Sequence, residues 1–343
     1  MKNVNAFRRS HAQAGVTLVE LLVAMTVGLV VTIIALSMLV LGRSGYSAVD
    51  STTQLLDKER FAVDAISRVV SQAGYQDYGA PVLVTRAIAV KSKVDPDPEP
   101  DIFAWNNAIY AKPNDLLISE TLKIVDENRP GLCGVNDTSC KNGSDVLMVR
   151  FQGVTGTGTA ADFSMINCRG AGEAGLDNSD LKERSVNFFF VARHPLTGEP
   201  SLHCVHYDHK DGVYSSSDPL IEGVESMQLL FGTDNVVAST APTVGGQDTI
   251  ADRWMRADQL KVAGNLAATK ENWRRVRAIR VGLVLRGPVG SAQERVAASL
   301  APLGSPTYVA AADTGSQLNV AGDGRLRRVV NFTVHIRNDL TLR

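Results

Sequence analysis

The stretch Gly15-Val16-Thr17-Leu18-Val19-Glu20, continued from Leu21 to Leu41 by LLVAMTVGLVVTIIALSMLVL, decides the fold. No charged residue falls between Leu21 and Leu41. As a helix rising about 1.5 Å per residue, that run spans about 32 Å, enough for a hydrocarbon core of about 30 Å. Lys2, Arg8 and Arg9 precede it, Arg43 is the first charge after it, and Asp50 and Asp57 follow. The positive-inside bias puts the N-terminus in the cytoplasm and the bulk of the chain outside. A cleaved secretory signal fits poorly, because its apolar region is shorter and ends at small residues, whereas this run ends in Leu39-Val40-Leu41-Gly42-Arg43. Glu20 is the feature a plain anchor leaves unexplained. A carboxylate at the mouth of an apolar helix is expensive in a bilayer and implies a function with a partner.

A short basic leader, Gly15, the string Thr17-Leu18-Val19-Glu20 and the apolar run together resemble the signal of type IV prepilins and secretion-system pseudopilins. The resemblance implies cleavage by a prepilin peptidase between Gly15 and Val16, and N-methylation of Val16. It also makes Glu20 the assembly residue. That family usually has Phe where this chain has Val16, and the position stays apolar. Glu20 of one subunit would pair with the terminal amine of the next, neutralising two charges that would otherwise be buried alone. A head-to-tail contact of that kind need not close on itself and then builds a filament. The proline that kinks this helix in many major pilins is absent, so no proline kink is carried over.

Beyond the membrane run, Leu55, Ala62, Ile66, Val69 and Ala73 recur at helical spacing, with Asp57, Lys58, Glu59, Arg60, Asp64 and Arg68 on other faces. Gly74 is placed to end the helix. One helix is expected over about 16–73, with a bend at Gly42 and Gly45. Strands are expected at 82–90, 145–151, 185–193, 201–207, 224–231, 278–285 and 329–336. The last is the clearest, with Val330, Phe332, Val334 and Ile336 alternating with polar residues. Segments 154–184 and 233–272 read as irregular insertions. The fold class is α+β and pilin-like: a long N-terminal helix packed on a mainly antiparallel sheet. The divisions are a leader over 1–15, an assembly helix over 16–41, its amphipathic continuation over 42–74 and one globular domain over 75–343.

The formal charge is −1, which gives no general attraction to nucleic acid. Without Lys2, Arg8 and Arg9, 32 basic residues face 36 acidic ones. Four cysteines outside the cytoplasm read as two disulfides. Three connectivities are open, and the favoured one pairs Cys133 with Cys140 and Cys168 with Cys204. The first pair encloses the turn-rich loop 134–139.

Further along, Gly223-Val224-Glu225-Ser226-Met227-Gln228-Leu229-Leu230-Phe231-Gly232, then Ala251-Asp252-Arg253-Trp254, the run 276–286 and the ending 327–338 resemble PilW-family minor pilins. That resemblance brackets nearly the whole chain and matches 80–220 only loosely. It implies a minor-pilin complex that primes pilus assembly and carries a tip adhesin. The family is similar to the J-type minor pseudopilin of type II secretion. The partners implied are prepilin peptidase, other minor pilins, a tip adhesin and, before assembly, the inner membrane. Later the chain would reach the pilus at the cell surface. Uses in motility, adhesion or DNA uptake are not separated by these residues.

Catalysis is not expected, since no nucleophile elbow, P-loop or zinc-protease string occurs. No cofactor or metal is expected either. Gly170-Ala171-Gly172-Glu173-Ala174-Gly175 satisfies a dinucleotide spacing but follows Cys168 and lacks the strand and helix that such a site needs. His203, His206 and His209 with Cys204 and Asp208 read as a polar strand end, because His203 and His206 point to opposite faces of a strand. The acidic proline run 95–101 reads as extended and solvated, and Asp234, Asp248 and Asp252 as a loose acidic group. Arg274, Arg275, Arg277 and Arg280 after Trp273 read as the solvated face and start of a strand, in preference to a DNA contact.

Overall fold

The computed structural model describes residues 15–76, 99–110, 142–156, 160–175, 184–208, 213–292, 294–311 and 313–338. Residues 1–14, the expected strand at 82–90, most of the acidic proline run, Cys133, Cys140 and His209 lie outside the described residues. The chain divides into two compact units, residues 1–50 and 51–343. Helix α1, Leu18–Ser71, runs through Gly42 and Gly45 unbroken.

In the second unit the expected stripe is buried: Leu55, Ala62, Ile66, Val69 and Ala73 all belong to the hydrophobic core. Glu59 completes the stripe between Leu55 and Ala62, and it pairs with Arg328. Spacing alone puts it on another face, with Asp57, Lys58 and Arg60. Its guanidinium partner comes from far along the chain, which the spacing around Glu59 does not show. Gly74 ends the helical run in the left-handed region at φ 74°, and its N–H donates to the Arg150 carbonyl at 3.0 Å. A Cβ at Gly74 would lie 2.6 Å from the Asn338 carbonyl oxygen, so glycine is required there.

Among the described residues all strand pairs are antiparallel. One sheet runs β1 (Ile102–Trp105), β2 (Val146–Phe151), β3 (Ser185–Arg193), β4 (Pro200–Asp208) and β5 (Val213–Tyr214), with β6 (Asp218–Glu222) also on β4. A second has the order β12 (Arg327–His335), β9 (Val276–Arg286), β7 (Val224–Thr233), β8 (Arg253–Met255). A small hairpin, β10 (Ala298–Leu300) with β11 (Leu318–Val320), completes the fold. β2 and β7 are buried along their whole length, as strands covered on both faces must be.

Residues 142–145 join the two large sheets by using the β7 edge ahead of β8. The Asp145 N–H donates to the Met227 carbonyl at 2.9 Å, and Asp145 Oδ2 accepts from the Leu229 N–H at 2.8 Å. The other oxygen accepts from the Asn107 N–H at 2.9 Å. Burial, and then the nearby Asp313, push the Asp145 carboxyl well above the usual range. On the outer face of β9, Gly282 admits the chain at Pro302-Leu303, since a Cβ there would lie 2.3 Å from the Pro302 carbonyl oxygen.

Segment 233–272 departs from its reading as an irregular insertion. It holds β8, a turn of 3-10 helix over Ala257–Leu260 and most of helix α2, Leu266–Arg274. Val236, Met255, Ala257 and Leu260 of this segment join the core, and Trp273 of α2 follows just beyond it. The remaining support is polar: Asn265 caps α2 by accepting from the Ala268 N–H, and the Asn272 amide donates to the carbonyls of Thr240 and Leu260.

Candidate functional site: the first turn of α1 and its uncovered run

Gly15 and Val16 lie just ahead of α1, both exposed. Thr17 occupies the N-cap position, and Glu20 is the third residue of the helix. Their contacts are reciprocal. The Glu20 N–H donates to Thr17 Oγ1 at 3.3 Å, while Glu20 Oε2 accepts from the Thr17 N–H and hydroxyl, each at 3.4 Å. This is a capping box, which satisfies orphan donors at a helix start and sets a negative charge at the positive end of the helix dipole. The cap role of Thr17 is absent from the sequence reading, although the Thr-x-x-Glu spacing signals it. The contacts are long, so they are weak and cheaply exchanged.

From Leu18 to Gly42 the helix is apolar, with mean hydropathy 2.6, and none of that run is covered by the rest of the chain. Val16, Leu18, Val19 and Met25 are each exposed over two-thirds or more of their surface. The hydroxyls within the run turn inward on their own helix: Thr26 to the Val23 carbonyl, Thr32 to Leu29 and Ser37 to Ile33, each at 2.8 Å. No hydroxyl is left bare, as a lipid or helix-packed setting demands. The arrangement can anchor, and it can pack against other helices. By itself it offers no group poised for bond making.

The remaining candidates separate. Cys168 and Cys204 form a disulfide with Cα atoms 6.1 Å apart, both buried, which removes Cys204 from any metal set. His203 is buried against Phe190 with Nδ1 facing Ser217, and burial lowers its pKa. Among the described residues no group of three or more His, Cys, Asp or Glu is placed to hold a metal. Glu99 and Asp101 are engaged with different partners, Lys270 at 2.5 Å and Arg184 at 3.3 Å. The glycine-rich run sits in a loop bridged by Ile166 and Gly172.

The arginines after Trp273 correct the reading of a solvated face. Arg277 is buried and donates to Asp234 from Nη2 at 3.0 Å, which also takes Asp234 out of the loose acidic group. Arg275 is buried and donates to the carbonyls of Asn235 and Thr243 at 3.2 and 2.8 Å. Arg274 pairs with Glu271 at 3.1 Å. The partners of Arg275 and Arg277 come from the loop after β7, which sequence spacing alone does not show.

Comparison with known proteins adds the following. Residues 188–338 match the family model described as type IV pilus-assembly protein W, which covers the second sheet and all four stretches noted after residue 222. Residues 10–36 match the prokaryotic N-terminal methylation motif, which contains Gly15, Val16 and Glu20. Among solved structures, the chain is similar to a type IV-like pilin from Thermus thermophilus at 14% identity and TM-score 0.40, covering 83% of this chain and 96% of that one. No curated protein matches the chain.

Proposed function

From the premise that this chain is a type IV pilin-like protein with an N-methylation motif and a PilW domain, we propose that it acts by assembly, as a minor pilin. In this reading prepilin peptidase cuts between Gly15 and Val16, and Val16 is N-methylated. The chain is held in the inner membrane by the uncovered helix, with its N-terminus in the cytoplasm and residues 51–343 in the periplasm. It then joins other minor pilins to prime the pilus and form its tip with an adhesin.

The observation that carries this reading is the first turn of α1. Cleavage after Gly15 places a positive amine one residue before the cap. A cation at a helix N-terminus opposes the dipole, so the amine gains by moving onto a carboxylate. The Thr17–Glu20 contacts are long enough to be given up when a neighbour's amine arrives. Inside a helix bundle that exchange trades two long contacts from neutral donors for a pair between opposite charges.

Intact mass and N-terminal sequencing of the chain purified from its own membrane test this. A chain beginning at methylated Val16 is expected. One beginning at Met1, in cells with active peptidase, overturns the proposal.

A further inference from the structure

A cleft of about 570 Å³ opens between residues 303–308 and the outer face of β9 and β12. Arg280 of β9 forms its wall. The guanidinium lies 4.7 Å from the ring centre of Trp254 and 5.3 Å from that of Tyr308, and Nη1 donates to the Tyr308 hydroxyl at 2.5 Å. Stacking on two aromatic rings fixes its plane before any ligand arrives.

Its three neighbours in sequence are each neutralised or turned to carbonyl groups within the fold. Arg275 also reaches Glu271 at 3.9 Å, so Arg280 alone of the four has no carboxylate partner among the described residues, where only its Nη1 is engaged. It is also the only cation lining the cleft among the described residues. The wall beside it carries the Asn331 amide and the Thr333 hydroxyl, both exposed and without a hydrogen bond among the described residues. Tyr308 adds ring surface, while Phe332, alternating with Asn331 and Thr333, turns its ring to the core.

A planar guanidinium with a free edge takes a carboxylate in bidentate fashion, and one cation matches one negative charge. Neutral amide and hydroxyl groups match ligand hydroxyls, and ring surface matches the C–H faces of a sugar. We infer that this cleft binds a carboxylate-bearing sugar of the uronic-acid class. The carboxylate sits on Arg280, and the hydroxyls bond to Asn331 and Thr333. The site is independent of the assembly helix.

The test uses the full chain in detergent micelles, labelled with 5-fluorotryptophan. Its three tryptophans give three resonances, and Trp254→Phe assigns one. Oligogalacturonate is expected to shift the Trp254 signal saturably and leave the buried Trp105 and Trp273 unmoved. Neutral oligogalactose should bind at least tenfold more weakly. Arg280→Gln should weaken galacturonate binding at least tenfold, and Arg280→Lys should not restore it. If Arg280→Gln does not fold, the surface variant Asn331→Ala/Thr333→Val carries the same test, with an expected loss of at least fivefold. A Trp254 signal that does not move, equal affinity for the neutral oligomer, or binding unchanged in these variants overturns the inference.

Discussion

Arg327 grips Asp323 with both ends of its guanidinium, Nη1 to Oδ1 at 2.8 Å and Nη2 to Oδ2 at 2.7 Å. Its Nε donates to Glu225 at 2.6 Å, so one side chain holds two carboxylates. The chain of charges continues. Arg286 joins Glu225 at 2.8 Å to Glu199 at 2.6 Å, and Arg325 returns to Glu199 at 2.9 Å. Six alternating charges thus tie the β3–β4 turn, the start of β7, the end of β9 and the approach to β12. Networks with shared partners lose less side-chain freedom per contact than isolated surface pairs.

That network predicts acid sensitivity. The bonds from Arg327 hold the Asp323 carboxyl down to about 2. Burial raises Glu199, but the bonds from Arg286 and Arg325 outweigh it and leave its pKa lowered. A carboxylate depressed in the folded state adds stability above its unfolded pKa of about 4 and loses it as pH falls through the folded value. Thermal midpoints measured between pH 6 and pH 2.5 are therefore expected to fall. Asp323→Asn should flatten the lower part of that fall and cost about 1 kcal/mol or less at neutral pH. Parallel curves for the two proteins would remove Asp323 from the account.

Gly74→Ala is expected to be damaging. An alanine in the left-handed region costs about 1–2 kcal/mol, and its Cβ would meet the Asn338 carbonyl oxygen at 2.6 Å. The nearest atom is backbone, which leaves no easy relief. A loss of at least about 2 kcal/mol, or about 5 °C in the thermal midpoint, is expected. Gly45→Ala is the control, because nothing lies within 4 Å of the added atom.

The contrast between those glycines shows what the sequence carried. The helix, its stripe and its end at Gly74 were legible, because 3.6-residue spacing and a C-terminal glycine are local signals. So were β3, β7, β9 and β12, whose apolar runs are long. β1, β8, β10 and β11 were not legible, being three or four residues long. Helix α2 escaped because its buried members include Thr269 and Asn272, which packing on the loop after β7 satisfies. Charge roles were the least legible. Glu59, Arg275 and Arg277 look solvated in sequence, and their partners lie far along the chain. At the N-terminus the Glu20 position was readable, while its bond to Thr17 needed the helix start to be fixed.

The Cys168–Cys204 bond ties the loop before β3 to the centre of β4 across 36 residues. Closing a loop of that size stabilises by about 4 kcal/mol in the chain-entropy account. Cys204→Ser should therefore lower the denaturant midpoint and steepen the slope, since the freed unfolded chain exposes more surface. Reduction of the wild-type chain should mimic the variant only after partial unfolding, because both cysteines are buried. A variant as stable as wild type would mean the loop is held by its other bonds, such as Arg169 to Asp218 at 2.7 Å.

Substitution can separate the cap formed by Glu20 from the assembly role proposed for it. Glu20→Gln keeps an oxygen for the Thr17 N–H and retains the capping box, since glutamine serves there as well as glutamate. Only the charge is lost. Thr17→Val removes the hydroxyl and the cap but leaves the carboxylate. Loss of the cap should fray the first turn and cost about 1 kcal/mol, with assembly retained. Loss of the charge should leave the helix intact and strand the subunit in the membrane, since a neighbour's amine would be buried without a partner. Processing is read by mass, and incorporation by immunoblot of sheared fibres. Glu20→Gln is expected to be processed and absent from the fibre, and Thr17→Val to be processed and present. The reverse result would make Glu20 a helix cap and no more, and would move the filament contact elsewhere on α1.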